Sequence, residues 1–409
     1  MPTERIYQKD RYKTANTAEI TAVREINGFD TFTCTSSVFY PLGGGQPSDV
    51  GTVTLDDKTY NVVSASDTSL ESDVWHLTDA PAGTFHVGDS ISLAINWNIR
   101  FQHMQRHLGE HMLSGTMHSL FGGVNKGFHM GEEYITIDID LGGRMLTESE
   151  LDLAEHKVNE AIWANLPVTV SCFDDYESSL VLPVRKKVPH DGKVYVVTVG
   201  DLSDPYDCIA CCGTHPATSS EVGLLAIYKC EPNKGMNRIF FDCGSMAFAK
   251  LSSDSQLLSA IAAKYSCSSW DLLRRLDAET ETIAALKSRI SSLSAYVKDI
   301  ERTRILEDMT LSVSDVYTYT TDILSIDELL KLGFSVIGET NGQVLLMLHP
   351  ESLTCLVFSS GEVKCGKLIK EHAGEFGGRG GGRDDNARAI FKTAKDMHDF
   401  ASAVEKMLQ

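Results

Sequence analysis

Between Asn98 and Ser114 the chain reads NIRFQHMQRHLGEHMLS. The stretch has no proline and a single glycine, Gly109, and it spaces His103, His107 and His111 four residues apart, on one face of an α-helix. Upstream the period is different. From Ile6 to Trp97 short β-rich runs (Thr31 to Thr35, Gly51 to Leu55, Tyr60 to Val63, Val74 to Leu77, Ile91 to Ile95) are parted by turn signals at Asn27-Gly28, Asp56-Asp57 and Gly88-Asp89. The change of period at Asn98 predicts a boundary, with a small N-terminal β-barrel over residues 1–97 and an α+β domain over residues 98–250. In that second domain, strands are expected at Tyr134 to Ile139, Val194 to Val199 and Ile239 to Phe241, with a helix opened by the capping box Thr147-x-x-Glu150.

From Leu251 to Arg304 the sequence is helical. Leu272, Leu276, Ile283, Leu286, Ile290, Leu293, Val297 and Ile300 follow alternating three- and four-residue steps, with Glu279 the polar interruption. This arm, residues 251–310, is expected to form an antiparallel hairpin or to lie against the chain's own domains. Pairing with a second copy, through the arm or the C-terminal domain, is the alternative. A small C-terminal α/β domain over residues 311–409 offers strands at Val344 to Leu348 and Leu353 to Phe358, a glycine-rich loop and a helix from Ala387 to Leu408. The fold class is therefore α+β.

The 409 residues, 42% hydrophobic and 23% charged, have the composition of an ordinary globular chain. No apolar run approaches a membrane span, and the charged start is no secretory signal, so a cytosolic protein is expected. Ten cysteines are too dilute for a disulfide scaffold, so the cluster Cys208, Cys211 and Cys212 points to metal or thiol chemistry. A net charge of -19 is unfavourable for an RNA binder but does not exclude one, because counterion release depends on the local basic groove. Arg185-Lys186-Lys187, the densest basic run, reads as a solvated face.

Two pairs carry the chemistry. His107 and His111 stack one helical turn apart, and Cys211-Cys212-Gly213-Thr214-His215 adds a thiolate and an imidazole about a hundred residues later. Together they make a Cys-His₃ set suited to Zn²⁺. His107-Leu108-Gly109-Glu110-His111 also spells H-x-x-E-H, the inverted zincin signature with Glu110 as base, but such a peptidase has no need of Cys211 and His215. Otherwise Glu110 reads as a solvated helix residue, and His103 and His118 as packing or support for the ligands. Gly43-Gly44-Gly45-Gln46 lets backbone approach a ligand, with Gln46 able to orient a water or a ribose hydroxyl.

These words resemble the AlaX family of alanyl-tRNA editing proteins, free-standing relatives of the editing domain of alanyl-tRNA synthetase. The matching residues are Phe39-Tyr40-Pro41 with Gly43 to Gly51, Arg106 to Ser114, Asn159-Glu160-Ala161-Ile162 before Pro167-Val168, Cys211 to His215 and Glu221-Val222-Gly223. Gly377-Gly378-Arg379-Gly380-Gly381-Gly382-Arg383-Asp384 is similar to the glycine-rich element of the synthetase's C-terminal domain, so the whole chain resembles the long form. The resemblance implies zinc-dependent hydrolysis of serine or glycine wrongly esterified to tRNA(Ala), with His107, His111, Cys211 and His215 as zinc ligands. Ser37, Gly44, Gly45, Gln46, Asp49 and Thr214 are implied as catalytic or substrate-binding, and Arg379 and Arg383 as RNA contacts.

Some residues depart from the family pattern. Ser37 stands for a usual threonine facing the serine substrate, Glu110 for a usual glutamine, Cys212 for the first glycine of Cys-Gly-Gly-Thr-His, and Ser219-Ser220 for Thr-Gly. Cys208-x-x-Cys211 also has a metal-like spacing, although the family match favours Cys211 as the sulfur ligand. The barrel begins within the first few residues and no P-loop follows a glycine run, so editing without aminoacylation is expected. The residues leave open whether zinc activates the water or only orients the substrate while a water near Gln46 attacks. Editing of another tRNA, such as serine-charged tRNA(Thr), and a non-catalytic zinc-structured RNA-binding module are the alternatives.

Overall fold

Six antiparallel strands, β1 (Ala15–Ile26), β2 (Phe29–Cys34), β3 (Gly51–Leu55), β4 (Lys58–Ser66), β5 (Trp75–Pro81) and β6 (Ser90–Ile95), close into a barrel in the order β1-β2-β5-β4-β3-β6. The computed structural model describes residues 2–69, 72–186 and 192–409, so Lys187 of the basic run lies outside the described residues. Two units divide the chain, Met1–Ala260 and Ile261–Gln409. Alternation builds the barrel: in β6, Ile91, Leu93 and Ile95 face inward while Ser90 and Ser92 face out. Asn27 and Gly28 take left-handed φ of 53° and 85°, as a tight hairpin between β1 and β2 requires. The longest strand, β1, has no counterpart in the sequence expectations.

The helix at the period change is α1 (Trp97–Phe121), capped by the Asn96 side chain accepting from the Ile99 N–H and ended by left-handed Gly122. Leu108, Met112, Leu113 and Met117 pack on a four-stranded antiparallel sheet. That sheet contains β7 (Val124–Met130), β8 (Ile135–Asp140), β12 (Leu225–Asn233) and β13 (Met236–Cys243) in the order β12-β13-β8-β7. Helix α2 (Glu148–Trp163) carries both halves of the expected capping box. A three-stranded sheet, β9 (Val168–Phe173), β10 (Val194–Gly200) and β11 (Pro205–Ala210), leads into the Cys211–His215 segment. Helix α3 (Gly244–Lys264) follows β13.

Ile261–Gln409 contains α4 (Leu272–Leu311) and the sheet β14-β15-β16-β18-β17. Its strands are β14 (Val316–Thr320), β15 (Val344–His349), β16 (Thr354–Ser359), β17 (Arg379–Gly382) and β18 (Asn386–Ile390), with helices α5 (Ile326–Ile337), α6 (Cys365–His372) and α7 (Ala394–Leu408). Two expectations are corrected here. The last helix starts at Ala394, because Ala387 and Ala389 face the core while Arg388 and Ile390 face out, the two-residue period of a strand. The glycine-rich segment is not a loop but the edge strand β17, where a Cβ on Gly380 would sit 1.9 Å from the Arg388 carbonyl oxygen.

Along α4, Ile283, Leu286, Ile290 and Leu293 are exposed. The buried residues of α4 are Leu272, Ile305 and Met309, the last two in a core shared with α5 on which Val297 also packs. No helix of the described residues is long and apolar enough to cross a membrane.

His76 is fully buried inside the barrel, stacked on Phe32 at 5.0 Å, with Nε2 2.7 Å from Ser37 Oγ. Burial pushes its pKa down to about 4. The unfolded chain therefore binds an extra proton between pH 6.5 and 4, so stability present above pH 6.5 is lost as pH falls to 4, by about 3 kcal/mol. His76→Gln should remove that part of the acid limb in denaturant titrations across this window; an unchanged limb refutes the assignment.

Candidate metal centre

Two buried ion pairs hold α1 in place. Arg100, at its first turns, donates to Asp49 at the end of the glycine loop and, at 2.7 Å, to the Val38 carbonyl. One turn and a half later Arg106 makes a two-pronged pair with Asp242 of β13, at 2.8 and 3.0 Å. Asp49 also accepts the Tyr40 N–H at 2.6 Å, so the loop, the barrel and the helix share one buried carboxylate. Expected as a catalytic or substrate-binding residue, Asp49 is instead enclosed by protein and 1% exposed.

From this helix His107 and His111 meet His215 and Cys211. Ring centroids are 4.8 Å apart for His107 and His111, 4.6 Å for His107 and His215, and 5.0 Å for His111 and His215. Cys211 Sγ lies 3.4 Å from His107 Nε2 and 3.7 Å from His215 Nε2, and the ligand atoms of all four residues lie within 4.8 Å of one another. Zn–N bonds of about 2.0 Å and a Zn–S bond of about 2.3 Å imply tetrahedral edges of roughly 3.3 to 3.6 Å, close to the two sulfur–nitrogen separations. Nε2 of His111 is buried without a hydrogen-bond partner, a cost that a bound cation would offset, while its Nδ1 faces Glu110. The donor set and its spacing fit Zn²⁺.

Charge is tuned within the cluster. Burial opposes ionisation of Cys211, but the imidazoles of His107, His111 and His215 outweigh it and hold the thiol well below its ordinary value. The Gly213 N–H points to the same sulfur at 3.4 Å. Burial also opposes charge on His111, yet Glu110 and Cys211 raise its pKa to about 10, while burial pushes His215 down to about 4. Glu110 is not solvated. It is 4% exposed, accepts from Ser114 Oγ at 2.6 Å and from Asn125 Nδ2 at 2.7 Å, and sets Oε2 2.7 Å from His111 Nδ1. Burial works against its ionisation, but His111 and Ser114 hold its pKa at about 2.

The glycine loop braces the cluster. Gly44 and Gly45, both with positive φ, form a two-residue turn closed by hydrogen bonds between Gly43 and Gln46. Gln46 is fully buried, with its amide oxygen and one N–H engaged within the protein, whereas it was expected to hold a water or a ribose hydroxyl. Its oxygen lies 2.9 Å from His107 Nδ1 and accepts the Thr214 N–H at 3.1 Å; its NH₂ donates to Thr214 Oγ1 at 2.8 Å. This fixes the His107 tautomer that leaves Nε2 to the cluster. Gly213 is required beside it, because a Cβ there would lie 2.2 Å from the His107 ring.

Other expected residues fall elsewhere. Ser37 is fully buried against His76 and lines neither cavity described at the cluster. Cys208 faces the core of the three-stranded sheet, leaving Cys211 as the sulfur in the cluster. Cys212 lies beside Gly44, its thiol pushed up to about 11 by burial. His103 and His118 are outside the cluster, His118 with Nδ1 3.2 Å from the Gly123 carbonyl oxygen. Arg185 is paired with Asp207 at 2.7 Å, not solvated. Arg379 and Arg383 are exposed at and just beyond β17.

A cavity of about 340 Å³ opens onto the cluster, walled by Phe128, Tyr195 and Ile209, with Lys186 and Lys193 at its lining. Phe128 stacks on His107 at 5.5 Å and leaves no room for a side chain at Gly45. No motif signal marks Phe128, Tyr195 or Lys193. A second cavity, of about 190 Å³, reaches Cys211 to His215 past Tyr7 and Arg11.

Residues 194–240 match the family described as threonyl and alanyl tRNA synthetase second additional domain, and residues 335–409 match the DHHA1 domain. The chain is 27% identical to the alanyl-tRNA editing protein AlaX-L of Pyrococcus horikoshii, over 99% of this chain and 98% of that protein. The chain is a relative of the long alanyl-tRNA editing proteins. It is also 26% identical to the alanine–tRNA ligase of Caldivirga maquilingensis, over 100% of this chain but 44% of the ligase. With the alanyl-tRNA editing protein Aarsd1 of Bos taurus it shares 27% identity over 58% of this chain and 50% of that protein.

Removing the brace should loosen the metal while sparing the fold. Gln46→Ala should weaken Zn²⁺ binding by about 10- to 100-fold in chelator competition, whereas His107→Ala or Cys211→Ala should abolish stoichiometric zinc. Unchanged zinc in Gln46→Ala would show that His107 is oriented by other contacts.

Proposed function

We propose that this protein is a trans-editing aminoacyl-tRNA deacylase, hydrolysing the ester of serine, and of glycine, on tRNA(Ala). The observation that carries this reading is the buried Cys-His₃ cluster at the floor of an aromatic cavity lined by two lysines, in a chain related to AlaX-L over nearly its full length. Such an activity answers a physical need. A synthetase pocket sized for alanine cannot keep out glycine mechanically and rejects an added hydroxyl only about a hundredfold, so a second, hydrolytic site is required.

Zn²⁺ held by His107, His111, Cys211 and His215 would orient the substrate end, and would supply Lewis acidity at the ester where one of the four ligands gives way. The chain's own residues do the rest. Phe128 and Tyr195 offer flat faces to the terminal base, and Lys186 and Lys193 offer charge to the adjoining phosphate. The Gly44-Gly45 turn brings bare backbone to the cavity wall beside Cys212, where a side chain would fill the space the substrate needs. Gln46 and Thr214 keep His107 in one tautomer, and Glu110 keeps a carboxylate against His111.

The synthetase family matched over residues 194–240 covers threonyl as well as alanyl enzymes, so serine-charged tRNA(Thr) is the second reading. One assay separates them. Serine- and glycine-charged tRNA(Ala) should be deacylated well ahead of alanine-charged tRNA(Ala) and serine-charged tRNA(Thr), with activity lost in His107→Ala. Absence of turnover on every substrate by zinc-loaded protein would leave a non-catalytic RNA-binding module. Because Ser37 is spent inside the barrel, Ser37→Val should slow serine and glycine removal alike; a selective loss on serine would return it to substrate reading.

Arg379 and Arg383, exposed at an edge strand, are proposed to meet tRNA phosphates. Replacing both with alanine should lower the slope of log affinity against log salt by nearly one unit per lost contact. An unchanged slope with a lowered melting temperature would make that strand purely structural.

A further inference from the structure

The three histidines of the cluster differ in what orients them. His107 Nδ1 lies 2.9 Å from the Gln46 amide oxygen and His111 Nδ1 lies 2.7 Å from Glu110, so each of these rings is braced by a side chain. His215 turns Nε2 to Cys211 at 3.7 Å, and its Nδ1 is buried with no hydrogen-bond partner among the described residues. The place of this ring therefore falls to the backbone that carries it.

That backbone has few handles, because Pro216 follows His215 and has no N–H to donate. The carbonyls of His215 and Pro216 both accept from Nη1 of Arg11, at 3.3 and 3.0 Å, and the same nitrogen reaches the Val168 carbonyl at 3.4 Å. The next N–H, of Ala217, donates to the Tyr12 hydroxyl at 2.7 Å, and that hydroxyl donates to Glu221 at 2.8 Å. The Ala217 carbonyl accepts the Val168 N–H at 2.8 Å. Two consecutive residues ahead of β1 thus engage the backbone from the His215 carbonyl to the Ala217 N–H. Their own segment is anchored in turn: Arg5 pairs with Asp67 at 2.6 Å, Tyr7 packs edge-on against Tyr40, and Tyr195 donates to Gln8 at 3.1 Å.

We propose that Arg11 is a positioning residue for His215, clasping the chain just past that ring and so holding it where a metal ion would be bound. Without the guanidinium, three carbonyl oxygens would face one another with no donor between them, and the His215–Pro216 backbone would turn away and carry the imidazole with it. The N-terminal part of the chain then grips the centre twice, through Gln46 at His107 and through Arg11 at His215.

The proposal rests on the reading of the cluster as a metal site, and the experiment separates the two. Zn²⁺ affinity by chelator competition and the visible spectrum of the Co²⁺-substituted protein are compared for wild type, Arg11→Met and Arg11→Lys. Arg11→Met keeps the aliphatic stem and removes the donors; it should weaken Zn²⁺ binding at least about tenfold. Its Co²⁺ ligand-field bands should change as His215 shifts, while the sulfur-to-cobalt charge-transfer band persists because Cys211 is untouched. Arg11→Lys should recover most of the affinity, since an ammonium offers one N–H to each of the three carbonyls. Arg11→Met with unchanged Zn²⁺ affinity and an unchanged Co²⁺ spectrum, whatever its metal-free melting temperature, would make Arg11 purely structural and overturn the proposal. A lysine variant as weak as the methionine one would overturn it too. Wild type that takes up no Zn²⁺ would instead remove the metal reading, and the clasp's role with it.

Discussion

The buried pair of Arg100 and Asp49 is the constraint on which the site depends. Arg100 is fully buried, and its guanidinium is neutralised only because the loop carrying Gly44, Gly45 and Gln46 ends on Asp49. Removing either partner would strand the other's charge in the core, typically at a cost of about 3 to 5 kcal/mol. The pair is therefore worth more as a specification of geometry than as a source of stability. It fixes where the barrel loop meets α1, hence where Gln46 meets His107. Arg106 and Asp242 do the same on the sheet side, so the helix bearing two of the four clustered His and Cys side chains is pinned at both flanks.

Within that frame the supporting side chains bond mostly to one another. Gln46 spends its oxygen on His107 and Thr214 and its NH₂ on Thr214. Glu110 spends one oxygen on Ser114 and Asn125 and turns the other to His111. What remains without a partner at the centre is Nε2 of His111; Nδ1 of His215 is also unpartnered. Well-bonded support around an unpartnered ring nitrogen suits a metal site, because the surrounding bonds orient the side chains that would hold the ion.

The parts legible in the sequence were those with local signatures. The period change at Asn98, the four-residue histidine step, the capping box at Thr147 and Glu150 and the Asn27-Gly28 turn each depend on residues close in the chain. What the sequence hid depends on contacts across tens of residues. The carboxylate of Glu110 looked solvated because nothing nearby announces Asn125 across the following turn. Gln46 and Asp49 looked free because their partners, Thr214 and Arg100, lie far along the chain. The strand β18 was hidden by alanine, whose helix propensity outweighs a two-residue period over so short a run.

The net charge of -19 bears on how such a chain could handle an anionic substrate. Its acidic groups lie on many surfaces, whereas the lysines at the cavity stand where charge is concentrated by low-dielectric walls. Lys186 and Lys193 can attract the end of an RNA chain locally while the overall acidity repels polyanions elsewhere, so the balance favours contact at the cavity over indiscriminate binding. The exposed arginines of the C-terminal edge strand offer a separate patch of the same sign, and their glycine neighbours keep the strand's backbone low and uncluttered. An editing protein that must sample many correctly charged tRNAs gains from weak general attraction, because release is then fast and discrimination falls to the chemistry at the ester.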